Sequence, residues 1–178
     1  MKKNILLLLS LFLVMNCFAQ ESKEKNTKSS AVAAKTSVYY LIRHAEKDRS
    51  DKSNKDPKLT KKGNDRAAYW AEVFKNVKFD AVYSTNYNRT LETAMPIAKA
   101  NELEIISYHP FKIKMNKFLK ETKGKTVLIV GHSNTTPSFA NKLLNKEMFE
   151  SIEDDNNGNV YIVTVTGNVK TVQLLTIN

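Results

Sequence analysis

Sulfur chemistry is nearly absent from this chain. Its one cysteine, Cys17, lies in an N-terminal segment with the layout of an export signal. Lys2 and Lys3 form a basic start, Ile5 to Met15 is apolar apart from Ser10, and Cys17-Phe18-Ala19 places small residues around a cleavage point before Gln20. Removal of residues 1–19 leaves no cysteine, which excludes disulfides, thiolate catalysis and cysteine-ligated metals. No long hydrophobic run is present either. The apolar stretch falls short of the roughly 20 residues that a membrane span needs. A retained anchor and a lipid on Cys17 are the alternatives, the second disfavoured by the bulky Met15 and polar Asn16 ahead of the cysteine. The expectation is an exported protein, periplasmic or secreted, with no stable membrane span after processing.

The charge is one-sided but unpatterned. The net +10 falls to +8 without Lys2 and Lys3, and the remaining lysines are scattered among acids. With no arginine-rich run and no alternation of basic and aromatic residues, no nucleic-acid partner is expected. The surplus is a solvated surface that steers anions at most. There is no internal repeat. Residues 20–36 are polar and rich in lysine and serine, without hydrophobic period, and read as a flexible linker. Residues 37–178 are one domain's worth of chain.

That domain alternates strand and helix signals. Val38 to Arg43 reads as a buried strand, followed by a charged surface loop over Lys47–Lys58. Thr60 is placed to cap a helix with apolar positions Ala67, Ala68, Trp70, Ala71, Val73 and Phe74, Trp70 being core. Phe79–Tyr83 is a second strand, and Asn86 or Asn88 is expected to cap a helix to about Ala100. Glu104–Tyr108, a helix over Ile113–Glu121 closed by Gly124, and a strand ending at His132 follow. A helix then starts near Pro137, and a hairpin turns at Gly167-Asn168 between Val160–Thr166 and Val169–Ile177. This order predicts an α/β fold, three-layer α/β/α with a mostly parallel central sheet.

Histidine is scarce as well, with three in the chain. Two of them, His44 and His132, stand just past the ends of the buried runs Val38–Arg43 and Val127–Gly131. That is where open α/β sheets place ligands. Arg43 precedes the first. One such histidine is commonplace; two at equivalent positions are a site.

Four segments resemble the histidine phosphatase superfamily, the phosphoglycerate-mutase-like fold, in its compact bacterial branch. Arg43-His44-Ala45-Glu46 is similar to its Arg-His-Gly signature with alanine for glycine. Leu59-Thr60 with Gly63 is similar to its Leu-Thr-x-x-Gly segment. Ser84-Thr85 with Arg89 and Thr93-Ala94 resembles its second-strand motif, and Gly131-His132-Ser133 its Gly-His motif. The resemblance implies a phosphomonoesterase that acts on a small phosphorylated substrate, with no cofactor and no metal, and the N-terminal segment implies that it is exported. His44 would be the nucleophile, forming phosphohistidine, with Arg43, Arg89 and His132 binding the phosphoryl group. A neutral imidazole and planar guanidinium forks suit that chemistry.

Two departures stand out. Ser50 occupies a position where larger members carry asparagine, so one phosphate contact is expected to be weaker or rerouted. No carboxylate follows the third strand, where Tyr108-His109-Pro110 stands instead. His109 is therefore the tentative acid and Glu46 the nearest alternative, while Glu92 reads as a surface or supporting residue. Asn134 fits the larger acid-phosphatase branch poorly, and so short a domain does not suit a mutase. A protein phosphohistidine phosphatase, a non-catalytic phosphate-binding module, and a metal site of His44, His132, His109 and Glu46 are the competing readings. The motif arginines disfavour the last. Specificity is expected in the Lys47–Lys58 loop and around His109 to Met115.

Overall fold

The computed structural model describes residues 34–177; the expected export signal and most of the expected linker lie outside them. Among the described residues six strands and four helices follow one another, alternating up to the terminal strand pair. They are β1 (Thr36–Arg43), α1 (Lys61–Val73), β2 (Ala81–Thr85), α2 (Asn88–Ala100), β3 (Ile105–Tyr108), α3 (Met115–Glu121), β4 (Thr126–Gly131), α4 (Thr135–Leu144), β5 (Asn159–Thr166) and β6 (Val169–Thr176). They form one sheet in the order β3-β2-β4-β1-β5-β6. The first four are parallel, and the terminal hairpin β5-β6 is added antiparallel to β1. The expected mostly parallel α/β sheet is therefore present.

Period-2 alternation divides the core between two faces. Ile42, Val82, Leu128, Val130 and Val160 pack with Trp70 and Phe74 of the α1 segment and Ile97 of α2. Tyr39, Leu41, Val127, Ile129, Tyr161 and Val163 pack with Phe118 of α3 and with Phe139 and Leu143 of α4. Burial of both faces explains why β1 and β4 read as unbroken apolar runs. The chain steps from β1 to β2 to β3 through α1 and α2 on one face, then returns to β4 and β5 through α3 and α4 on the other. The reversal leaves the carboxyl ends of β1, β2, β3 and β4 side by side at a crevice.

Several boundaries differ from the sequence reading for identifiable reasons. Strand β1 begins at Thr36, within the expected linker, because Thr36 pairs with Thr166. Strand β2 begins only at Ala81. The Asp80 carboxylate accepts the Thr126 amide at 2.8 Å, and the Phe79 amide is taken by Asn101. Helix α3 starts at Met115 instead of Ile113. Neither Asn86 nor Asn88 caps α2: the capping position is Tyr87, with no side-chain bond. Asp56, from the Lys47–Lys58 loop, instead accepts the Asn88 amide at 2.8 Å. Thr60 does cap α1, accepting from Gly63 at 3.0 Å.

Candidate active site

Backbone pairing places the two histidines together. Arg43 lies opposite Gly131 across β1 and β4, and the His44 amide donates to Gly131 O at 2.9 Å. The two imidazoles meet edge to face with ring centroids 5.5 Å apart. They line a cavity of about 720 Å³ with Arg43, Lys47, Thr85, Tyr87, Arg89 and His109.

His44 is buried, and its Nδ1 lies 2.7 Å from Ala45 O. A carbonyl only accepts, so Nδ1 carries the proton and Nε2 keeps a free lone pair. Burial, assisted by the charges of Arg43, His132 and Arg89 and opposed by the Ala45 bond, lowers its pKa to about 3. At neutral pH the ring is an uncharged nitrogen nucleophile in one tautomer. Burial and the charges of Arg89, Lys47 and Arg43 likewise bring His132 to about 4. Its Nε2 sits 2.9 Å from the Thr85 hydroxyl, which donates to Thr90. Thr90 in turn donates to the Thr85 and Tyr87 carbonyls. That chain of donors fixes the proton of His132 on Nε2.

Arg43 is fully buried. Its Nη1 donates to Glu153 O (2.8 Å) and Asn156 O (3.1 Å), and its Nη2 pairs with Asp154 Oδ1 at 2.5 Å. Asp154 also holds Arg49 at 2.7 Å. Burial alone would raise the Asp154 pKa; the Arg43 bond and the two arginine charges outweigh it and lower the value, so Asp154 stays a carboxylate. Arg89 is mostly buried and stacks over Tyr87 at 4.5 Å, with Asp56 at 3.5 Å. Among the described residues, the buried Nε atoms of both Arg43 and Arg89 lack a hydrogen-bond partner. An unsatisfied buried donor costs about 1–3 kcal/mol, more when charged. Both arginines line the one cavity, and their positive charge there suits an oxyanion.

The supporting motif residues act through structure. Thr93 Oγ1 accepts the Ala45 amide at 2.9 Å and donates to Arg89 O, joining the β1 end to α2. Gly63 is demanded by proximity, since a Cβ there would lie 2.2 Å from Glu46 O. A Cβ at Gly131 would meet Thr136 Oγ1 at 2.8 Å. Glu92 accepts the Leu59 amide and is the supporting residue expected.

The proton-donor candidates separate clearly. Glu46, the alternative acid, does not line the cavity. Arg66 Nε holds both its oxygens at 2.9 and 3.0 Å, which takes it out of the acid role and out of the four-ligand metal reading. His109 does line the cavity, at its exposed rim, with Nδ1 accepting the Phe111 amide at 3.3 Å. Ser50 is exposed, bonds to Asp48 and does not line the cavity. Sequence reasoning missed Asp154 and Asn157: Asp154 pairs with Arg43, and Asn157 donates to His44 O at 2.8 Å. Lys47 and Tyr87 also line the cavity without having been singled out.

Fold and site together define an α/β domain with paired neutral imidazoles in an arginine-lined crevice. The family model described as the histidine phosphatase superfamily (branch 1) matches residues 39–112. The fold is shared with a phosphoglycerate mutase from Bacillus anthracis: TM-score 0.63, 15% identity, covering 80% of this chain and 94% of that one. A phosphoserine phosphatase from Entamoeba histolytica gives 0.57 at 22% identity, over 80% and 98% of the two chains. A protein from Agrobacterium tumefaciens described as the phosphohistidine phosphatase SixA gives 0.58 at 17%, over 79% and 98%. No curated protein sequence matches the chain. Over residues 39–112 the chain is similar to the histidine phosphatase superfamily, and its fold is that of the phosphoglycerate-mutase-like structures.

Proposed function

We propose that the protein is an exported, metal-independent phosphomonoesterase that works through a phosphohistidine at His44. The observation that carries this reading is the neutral, tautomer-fixed His44 beside two arginines whose Nε atoms are unpartnered. Arg43 and Arg89 hold the phosphoryl oxygens; His132, expected from the sequence to bind them too, gives its Nε2 proton to Thr85 and packs against the His44 ring instead. His44 Nε2 forms a bond to phosphorus as the ester P–O bond breaks, and the leaving oxygen takes a proton from His109. Water then attacks the phosphohistidine, releases inorganic phosphate and restores the imidazole. The arginines stabilise charge on the equatorial oxygens, where phosphoryl transfer concentrates it. Among the described residues no helix is long and apolar enough to cross a membrane; export rests on the signal-like residues 1–19.

A second reading, a phosphate-binding module without turnover, is favoured by one observation. The carboxylates around the crevice are committed, Glu46 to Arg66 and Asp154 to Arg43 and Arg49. Rapid quenching during hydrolysis of p-nitrophenyl phosphate separates the two. A turning-over enzyme yields an acid-labile, base-stable phosphoenzyme that His44→Ala abolishes, with excess EDTA without effect. Phosphate binding with no hydrolysis by the wild-type chain selects the module, and chelator-sensitive activity overturns metal independence.

A further inference from the structure

The cavity is larger than a phosphoryl group requires. At about 720 Å³ it lies within the range of pockets that bury a whole small molecule, roughly 300–1,000 Å³. Its lining is divided. The β1 and β4 ends supply imidazole and guanidinium groups, whereas the segments after β2 and β3 supply Tyr87, Tyr108, His109, Pro110 and Phe111. Phe111 is 72% exposed, more than any other large hydrophobic among the described residues, and Tyr87 is 42% exposed. Large apolar side chains left open beside a polar cradle mark a binding surface.

Both aromatic groups are held in place. Tyr87 is fixed by the Arg89 guanidinium over its face and by an edge contact to His132, ring centroids 5.1 Å apart. Phe111 meets the His109 imidazole edge to face at 6.0 Å. Their turn is closed by Lys112 N to His109 O (3.0 Å) and tied to α4 by Lys142 Nζ to Pro110 O (3.2 Å). The turn that carries Phe111 is anchored through its backbone and the Tyr87 ring is held by Arg89, so the two aromatic positions beside the cradle are set before a flat ring binds.

We propose that Tyr87, His109 and Phe111 form a leaving-group subsite that selects phosphate esters of planar aromatic alcohols. This rests on the phosphomonoesterase reading of the same crevice. The chemistry of the surroundings agrees. When His44 Nε2 bonds to phosphorus, the P–O electron pair remains on the leaving oxygen. A phenolic oxygen departs as phenolate without needing a proton, which suits a crevice where Asp154, the lining carboxylate among the described residues, is ion-paired to Arg43 and Arg49.

Equilibrium binding of non-hydrolysable phosphonates to the full chain tests recognition apart from leaving-group reactivity. Benzylphosphonate is expected to bind about two- to tenfold tighter than ethylphosphonate, the scale of an aromatic pair, and tighter than cyclohexylmethylphosphonate. Phe111→Ala, an exposed position whose truncation opens no core cavity, is expected to bring the benzyl-to-ethyl ratio close to one. Equal binding of the phosphonates by wild type, or an unchanged ratio in Phe111→Ala, overturns the subsite. Equal binding of benzyl and cyclohexylmethyl forms overturns its preference for planar groups. If inorganic phosphate and all three phosphonates fail to bind, the phosphate-ester reading itself is wrong and the subsite falls with it.

Discussion

Asn157 donates its side-chain amide to the backbone carbonyl of His44 at 2.8 Å, across 113 residues of sequence. Both residues are buried. The carbonyl belongs to the nucleophile candidate itself, so the bond fixes the backbone from which the imidazole projects. The same short segment holds Arg43 through Glu153 O, Asp154 and Asn156 O.

Asn157→Ala is therefore expected to act on position more than on substrate affinity. Leaving the His44 carbonyl buried and unpaired should cost about 1–3 kcal/mol of stability, read by denaturant unfolding. In steady-state kinetics kcat should fall while KM moves little. A rise in KM at unchanged kcat would refute this role.

Arg43→Lys and Arg89→Lys retain charge but lose the planar fork and the Nε donor. Each is expected to lower kcat/KM by about 10- to 150-fold, equivalent to roughly 1.5–3 kcal/mol for a bond to a charged group. Arg43→Lys should also lower thermal stability, because three partners in the 153–156 segment lose their donors. Near-normal rates in both variants would remove these arginines from the phosphoryl site.

The depressed histidines set a stability window. Unfolded imidazoles titrate near 6.5, whereas His44 and His132 in the fold titrate near 3 and 4. Between those limits the unfolded chain binds more protons, so stability rises with pH there and is lost as pH falls from about 6.5 toward 3. Unfolding midpoints at pH 7 and pH 5 should show a clear drop on acidification. His44→Gln should reduce that drop, and nitrogen-detected NMR should find His44 neutral with its proton on Nδ1 at pH 5.

Gly63→Ala sets helix propensity against space. Alanine favours a helix over glycine by up to about 1 kcal/mol. Here the new methyl would stand 2.2 Å from Glu46 O, and overpacking typically costs about 1–3 kcal/mol even against side chains. The variant should be less stable and less active, since Glu46 lies two residues from His44. A gain in Tm would show that the backbone at Glu46 yields freely.

The site was legible where its information is local. A buried apolar run ending in Arg43-His44 or Gly131-His132 carries its own location, and two such runs predict neighbouring strand ends. The capping of α1 was legible for the same reason, because Thr60 and Gly63 are adjacent in sequence. What escaped the sequence depends on distant partners. Glu46 is a plausible acid until Arg66 is found against it, and Asn88 looks like a cap until Asp56 takes its amide. The segment that holds Arg43 works partly through the carbonyls of Glu153 and Asn156, which every residue possesses. Asn157, in a run of asparagine and glycine, carries the composition of an ordinary turn.

The placement of strand β5 beside β1 has a consequence in time. Ribosomal synthesis makes Arg43 and His44 early, but the residues that brace them arrive just before the last two strands. A growing chain thus displays His44 long before that imidazole is held in register. Hydrolytic competence should switch on only when the final hairpin closes the sheet. Chains halted before residue 152 should carry every phosphate-facing arginine and histidine and still be inert.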